Sequence, residues 1–238
     1  MTDAAGNVGA ASSPITVNID TTQPPAAENV VLNNDDGSTP VPIASGGATN
    51  DTTPAISGTA TEGSIVTIRD GNTVLGSVTV GSDGSWSFTT PTLSEGAHSL
   101  TTTVTSSSGN VSEPSTPIAF TVDTQAPATS SELQLSNDGG TAIAAGGVTN
   151  DSTPVLTGSA EAGSIVTVRD GNAVLGTANV DSEGNWTFTP ATPLGEGSHS
   201  LTTTVTDAAG NSSGASTPIV FTVDTTPPVA GHRSATQQ

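Results

Sequence analysis

The sequence predicts an all-β protein of tandem β-sandwich domains in an elongated array. Three observations carry that prediction. A block of two dozen residues occurs twice, its apolar residues alternate with the period of a strand, and turn dipeptides punctuate the chain with no sustained helical period between them.

The repeat comes first. "TNDTTPAISGTATEGSIVTIRDGN" begins at Thr49, and "TNDSTPVLTGSAEAGSIVTVRDGN" begins at Thr149. Trp86 matches Trp186 at the same offset. A one-residue insertion then brings His98 against His199, and "STPIAFTVDT" at Ser115 against "STPIVFTVDT" at Ser216. The start of the chain is a third, partial copy: "TDAAGN" at Thr2 recurs at Thr206, and "SPITVNIDTTQPP" at Ser13 echoes "TPIVFTVDTTPP" at Thr217. The expected organisation is therefore a C-terminal remnant of a preceding repeat (1–20), repeat 1 (21–123), repeat 2 (124–224) and a flexible tail (225–238) whose "GHRSATQQ" has no counterpart. The remnant lacks most of a domain, so it is either disordered or lends a strand to a neighbour.

Within repeat 2 the strands expected in order are "PVLTGSA", "SIVTVRD", "AVLGTANV", "NWTFT", "HSLTTTVT" and "PIVFTVD". In repeat 1 the alternation puts Trp86 with Phe88, then Leu100, Thr102 and Val104, then Ile118, Phe120 and Val122 on common faces. Thr and Val suit a pleated surface. Asp36-Gly37, Asp70-Gly71, Asp83-Gly84 and Glu95-Gly96 supply the turns. About seven strands in about 100 residues, with one tryptophan and no disulfide, describe an immunoglobulin-like sandwich. Trp86 and Trp186 are expected in its core, and His98 and His199 as partly packed side chains rather than ligands.

Composition limits function. The 238 residues carry 22 Asp plus Glu against 3 Lys plus Arg, a formal net charge of -19. Such a chain repels phosphate backbones and anionic membrane surfaces, so neither nucleic-acid binding nor direct membrane insertion is expected. Without cysteine there is no disulfide, thiolate nucleophile or zinc thiolate site. Without lysine there is no Lys–Asn isopeptide staple. The opening "TDAAGNVGAASSP" is polar and small and resembles neither a signal peptide nor a membrane span. Sequons such as "NDT" and "NWT" are chance matches in a Ser/Thr-rich chain. Catalysis lacks footing too: there is no "GxSxG" elbow, the two in-repeat histidines are equivalent, and the loops are too short for an evident cleft.

The ordered motif "GG-x-TND-[TS]-TP…GS-IVT-[IV]-RDGN…[DE]-G-[SN]-W-[ST]-F-T…EG-x-HSLTTTVT…FTVDT" covers almost the whole chain. It resembles the bacterial Ig-like repeats of large biofilm-associated, type I-secreted (RTX-type) surface adhesins. The resemblance implies a non-enzymatic extender on the bacterial cell surface, active in adhesion and biofilm formation. Such a string carries an adhesive region that contacts host or matrix surfaces through other parts of the protein. In several members calcium rigidifies it.

The acidic residues fit calcium independently. On a generic sandwich, one end of repeat 2 collects Glu161, then Asp181 with Glu183, then Asp207 with Asn211, and the incoming linker brings Asp123 to the same end. Carboxylates and an Asn amide are the hard oxygen donors that Ca2+ prefers. Two carboxylates about 4 Å apart repel by about 4 kcal/mol at an effective dielectric of 20, a cost that a cation between them removes. Repeat 1 offers Asp20, Glu62, Asp83 and Asn110, with Ser106 standing where repeat 2 has Asp207. The opposite ends gather Asp36, Asp51 and Asp70, echoed by Asp138, Asp151 and Asp170. Asp70 and Asp170, in "RDGN", are read as hairpin turns. The expected partners are neighbouring repeats of the same chain and calcium ions. The alternatives are a glycan- or matrix-binding module and an accessory domain of a secreted hydrolase.

Overall fold

The computed structural model describes residues 1–228. Residues 229–238, the greater part of the expected tail, lie outside them. No helix among the described residues is long and apolar enough to cross a membrane.

Among the described residues seventeen strands follow one another. The first nine are β1 (Glu28–Asn34), β2 (Val41–Pro42), β3 (Ala48–Thr49), β4 (Ala55–Thr59), β5 (Ile65–Asp70), β6 (Thr73–Thr79), β7 (Ser85–Thr89), β8 (Gly96–Thr105) and β9 (Ile118–Val122). The next eight are β10 (Ser131–Ser136), β11 (Val148–Thr149), β12 (Val155–Ser159), β13 (Ile165–Asp170), β14 (Ala173–Asn179), β15 (Asn185–Phe188), β16 (Gly197–Thr206) and β17 (Ile219–Val223). Contacts group the chain into two units that cut across the first repeat. One holds Met1–Val31, Ile56–Phe88 and Leu100–Pro117; the other holds Leu32–Ala55, Thr89–Ser99 and the described residues from Ile118 onward.

Repeat 2 falls wholly in the second unit. Its strands form a three-stranded sheet, β10-β12-β15, and a five-stranded sheet, β11-β17-β16-β13-β14. All pairs are antiparallel except β11 with β17, where Val148 faces Thr222 and Thr149 faces Val223. The β13–β14 hairpin closes through Gly171 at φ 53°, a conformation glycine adopts at little cost. A bulge between Val168 and Arg169 shifts its register. The same hairpin, with the same bulge, joins β5 to β6 in the first unit.

The alternation read from sequence is the alternation that is buried. Val166, Val168, Leu201, Val205, Phe221 and Val223 from the five-stranded sheet meet Leu135, Leu156, Trp186 and Phe188 from the three-stranded one. Trp186 determines a glycine opposite it. A Cβ on Gly158 would stand 2.8 Å from the indole Cζ2 and 2.9 Å from Leu133 Cδ2. Gly58 meets Trp86 in the same way, at 2.9 Å.

Repeat 2 has two strands beyond the six quoted from sequence, β10 and β11. β10 carries only Leu133 and Leu135 as apolar residues, and β11 is two residues long, so neither produces a readable period.

Candidate functional site

Three acidic residues follow the last strand of a repeat motif: Asp20, Asp123 and Asp224. Each carboxylate folds back to accept the amide two residues on, from Thr22 at 2.9 Å, Gln125 at 3.0 Å and Thr226 at 3.0 Å. These Asx turns stiffen the start of each proline-bearing linker. The backbone on either side is fastened as well. Asp123 and Asp224 donate their amides to the Thr49 and Thr149 carbonyls at 2.9 and 2.8 Å. The next residue, Thr124 or Thr225, is gripped through its amide and hydroxyl by Glu95 or Glu196.

An asparagine completes the fastening. Asn211 Nδ2 donates to the Asp123 carbonyl at 2.8 Å, and Asn110 Nδ2 to the Asp20 carbonyl at 2.9 Å. Asn211 is itself held by Asp207, whose Oδ1 accepts the Ala209 and Asn211 amides while Oδ2 accepts Asn211 Nδ2 at 2.9 Å. With Ser106 in the corresponding position, repeat 1 keeps one bond, from the Asn110 amide to the Ser106 hydroxyl at 3.2 Å. Ser108 instead donates to Asp20 Oδ2 at 3.0 Å. The bonds from Thr22 and Ser108 hold the Asp20 carboxyl below its usual range, and those from Thr226 do the same for Asp224, so both stay charged.

Glu95, Asp123 and Glu161 line one cavity of about 550 Å³, together with linker residues Gln125 to Ala128. These are calcium-type donors, and backbone carbonyls lie among them. Among the described residues no three His, Cys, Asp or Glu side chains are already gathered closely enough to hold a metal. Asp181 and Asp83 serve their own turns, Asp181 accepting the amides of Glu183 and Asn185, and Asp83 those of Ser85 and its hydroxyl. Glu62, which matches Glu161, is exposed.

The second acidic group also comes together in pairs. Asp51 is fully buried; its Oδ1 accepts the Thr53 amide at 2.7 Å and its Oδ2 the Asp35 amide at 3.1 Å. Desolvation, with the charges of Asp51 and Asp35, pushes the neighbouring Asp36 carboxyl up. Asp151 repeats the pattern, accepting from Thr153 at 2.8 Å and from Asp138 at 2.9 Å. The "TND-[TS]-T" motif thus ties two loops together through one carboxylate.

Sequence reading missed two sets of residues. Glu95 is read from sequence only as part of a turn and Glu196 is given no role, although "EG" stands at the same distance before the Thr of "VDT" in both repeats. Asp170 is more than a turn: Oδ1 accepts the Ser200 amide at 2.8 Å and Oδ2 meets His199 Nδ1 at 2.7 Å. The His199 ring in turn packs on Phe221, 5.5 Å between centroids, and its Nε2 faces the Gly195 carbonyl at 2.8 Å.

Two stacked sheets carrying the same acidic fastening at successive linkers define a tandem immunoglobulin-like repeat protein. The bacterial Ig-like domain family matches residues 25–124 and again 125–225, and the chain belongs to that family. No match was found among curated protein sequences. Among solved structures, the fibronectin(III)-like modules of Clostridium thermocellum CbhA share 19% identity over 82% of this chain and 93% of theirs, with a TM-score of 0.47. The BSP domain of a biofilm associated protein shares 27% over 76% of this chain and 29% of its own, at a TM-score of 0.29. A tetra-tandem repeat from the extending region of a large adhesion protein shares 22% over 75% and 50%, at 0.30. The chain therefore spans less than two thirds of the length of the latter two.

Proposed function

We propose that this chain is an extender segment of a bacterial cell-surface adhesin, serving cell adhesion and biofilm formation, with calcium stiffening the linkers between its repeats. The observation that carries this is the repeated grip on the linker: Asn110 on Asp20 and Asn211 on Asp123, with Glu95 and Glu196 holding the threonine that follows the linker aspartate. A spacer needs every linker to be held alike, whereas a unique ligand site needs no second copy. The buried Trp86 and Trp186 offer no aromatic platform to a glycan.

Glu95, Asp123 and Glu161 would be the first donors to an ion, joined by linker carbonyls. A bound cation would supply charge neutralisation where carboxylates otherwise repel, in a chain of net charge -19. The surface location and type I secretion route belong to the same proposal.

Thermal unfolding in EGTA and in millimolar calcium tests it. The wild type should melt higher with calcium, and Asp123→Ala should lose most of that gain while melting similarly in EGTA. Equal melting of the wild type in both buffers would remove calcium from the proposal.

A further inference from the structure

We propose that Asp36–Gly37 is a site of spontaneous aspartate isomerisation, a modification that loosens the loop tied to the buried Asp51. The contrast in bonding among the Asp-Gly steps of the chain carries it.

Those steps begin at Asp36, Asp70, Asp83, Asp138 and Asp170. In each, the glycine amide nitrogen can attack the aspartate side-chain carboxyl, because no side chain on the following residue stands in the way. The reaction needs no partner molecule. A Cγ–N bond forms, the amide proton and the carboxyl OH leave together as water, and a cyclic succinimide remains. Water then adds to one ring carbonyl. Opening at Cγ restores aspartate; opening at the main-chain carbonyl leaves the backbone running through Cγ, as isoaspartate. Nothing is oxidised or reduced. Geometry gates the step, since nitrogen and carbon must be free to reach near-attack positions.

Three steps lack that freedom. Asp170 holds the Ser200 amide at 2.8 Å and His199 Nδ1 at 2.7 Å, while the Gly171 amide is committed to the Ser200 carbonyl at 3.1 Å. Asp70, in the matching hairpin, is engaged as well. Asp83 holds the Ser85 amide and hydroxyl at 3.0 and 2.7 Å, and the Gly84 amide donates to the Gly81 carbonyl at 3.0 Å. Asp138 is intermediate. Its carboxyl and the Gly139 amide have no hydrogen-bond partner among the described residues. They sit, however, in a turn closed by the Gly140 amide on the Asn137 carbonyl at 2.8 Å and by the Thr141 amide on Asn137 Oδ1 at 2.9 Å.

Asp36–Gly37 has neither restraint. The pairing of Asn34 with Val41 brackets a loop over 35–40. In it the Asp35 amide donates to Asp51 Oδ2 and the Asp36 amide to Asn34 Oδ1, both at 3.1 Å. Beyond these, neither the Asp36 carboxyl nor the amides over 37–40 make a hydrogen bond among the described residues. Asp36 and Gly37 are both exposed. Nucleophile and electrophile are thus free in one loose segment.

Isomerisation there reaches Asp51. It adds one main-chain carbon between Asp36 and Gly37 and leaves the α-carboxylate pendant beside Asp35. The lengthened loop then releases the Asp35 amide from a carboxylate that is fully buried.

The full chain is aged in heavy-oxygen water at pH 7 with EGTA, and each Asp-Gly peptide is read by mass spectrometry. Every pass through the succinimide leaves one heavy oxygen. Each hydrogen bond that must first break slows the attack roughly tenfold. Label should therefore gather at Asp36 faster than at Asp83 or Asp170 by at least that factor, with Asp138 between. In denaturant the differences should collapse, which separates the effect of the fold from that of the dipeptide. Gly37→Ala fits the loop, its Cβ meeting only the Thr39 backbone at 3.7 and 4.0 Å, and should suppress labelling at Asp36. Hydrogen exchange at the Asp35 amide should rise in the isoaspartate fraction. Equal labelling of Asp36 and Asp170 in the folded chain, or labelling at Asp36 that survives Gly37→Ala, overturns the proposal. Unchanged exchange at Asp35 overturns the effect on Asp51. Calcium is absent throughout, so failure here is separable from failure of the extender proposal.

Discussion

Asn211 and Asp123 lie 88 residues apart in sequence, yet the Asn211 side-chain amide donates to the Asp123 main-chain oxygen at 2.8 Å. Asp207 takes the same nitrogen's other proton. The amide is thereby oriented before the linker arrives, and the linker carbonyl receives a donor that costs little to position. Asn211→Ala should lower stability by about 1 kcal/mol and raise hydrogen exchange at Thr124 and Gln125. Unchanged exchange there would show that the linker is held without Asn211.

The packing of Trp186 on Gly158 makes a sharper demand. Gly158→Ala places a methyl 2.8 Å from the indole, with Leu133 and the Ser131 carbonyl on its other sides. A loss of about 1 to 3 kcal/mol is expected, read from denaturant unfolding followed by tryptophan fluorescence. Gly195→Ala, where a Cβ meets nothing within 4 Å, is the control.

His199 and Asp170 set a pH dependence. Burial pushes the His199 imidazole down, but Asp170 and the Gly195 carbonyl outweigh it and hold the ring above the ordinary histidine range. Burial pushes Asp170 up, while the bonds from His199 and Ser200 bring it below 3.8. A raised histidine contributes stability in full below its unfolded value and loses it as pH climbs through the folded one. A lowered aspartate contributes above its unfolded value and loses it as pH falls through the folded one. The pair therefore supports the fold best between those limits. The wild-type unfolding midpoint should fall from about pH 6 to about pH 8.5, and His199→Gln should flatten that slope.

Asp51 and Asp36 are neighbours with opposite expectations. Asp51 is buried and satisfied by the amides of Thr53 and Asp35, so Asp51→Ala strands two donors and should cost about 2 to 4 kcal/mol. Asp36 bears its charge against Asp51 and Asp35, so Asp36→Asn should be neutral or stabilising at pH 7. Chemical denaturation of the two variants side by side checks both signs.

The fold was legible because period-two alternation and burial have the same cause. Leu100, Thr102 and Val104 share a face in the sequence and are all buried in β8. β10 and β11 escaped because neither has enough apolar residues to show a period. Of the site, the meeting of the Asp138 loop with Asp151 could be read from loop position, whereas in repeat 1 the residue bonded to Asp51 is Asp35, one place before the expected Asp36. The arrival of Asp123 beside Asn211 could be read too. The use of a main-chain oxygen there could not, since side-chain patterns carry no record of carbonyl direction. Asp170 passed as a turn residue because its second task depends on β16, distant in sequence and adjacent in the sheet.

Small-angle scattering of this chain, in EGTA and then in a few millimolar calcium, separates a calcium-stiffened extender from one held by hydrogen bonds alone. Calcium should lengthen and narrow the distance distribution, and Asp123→Ala should abolish the change. Superimposable wild-type curves in the two buffers would contradict calcium stiffening and leave the acidic linkers fastened by their hydrogen bonds alone.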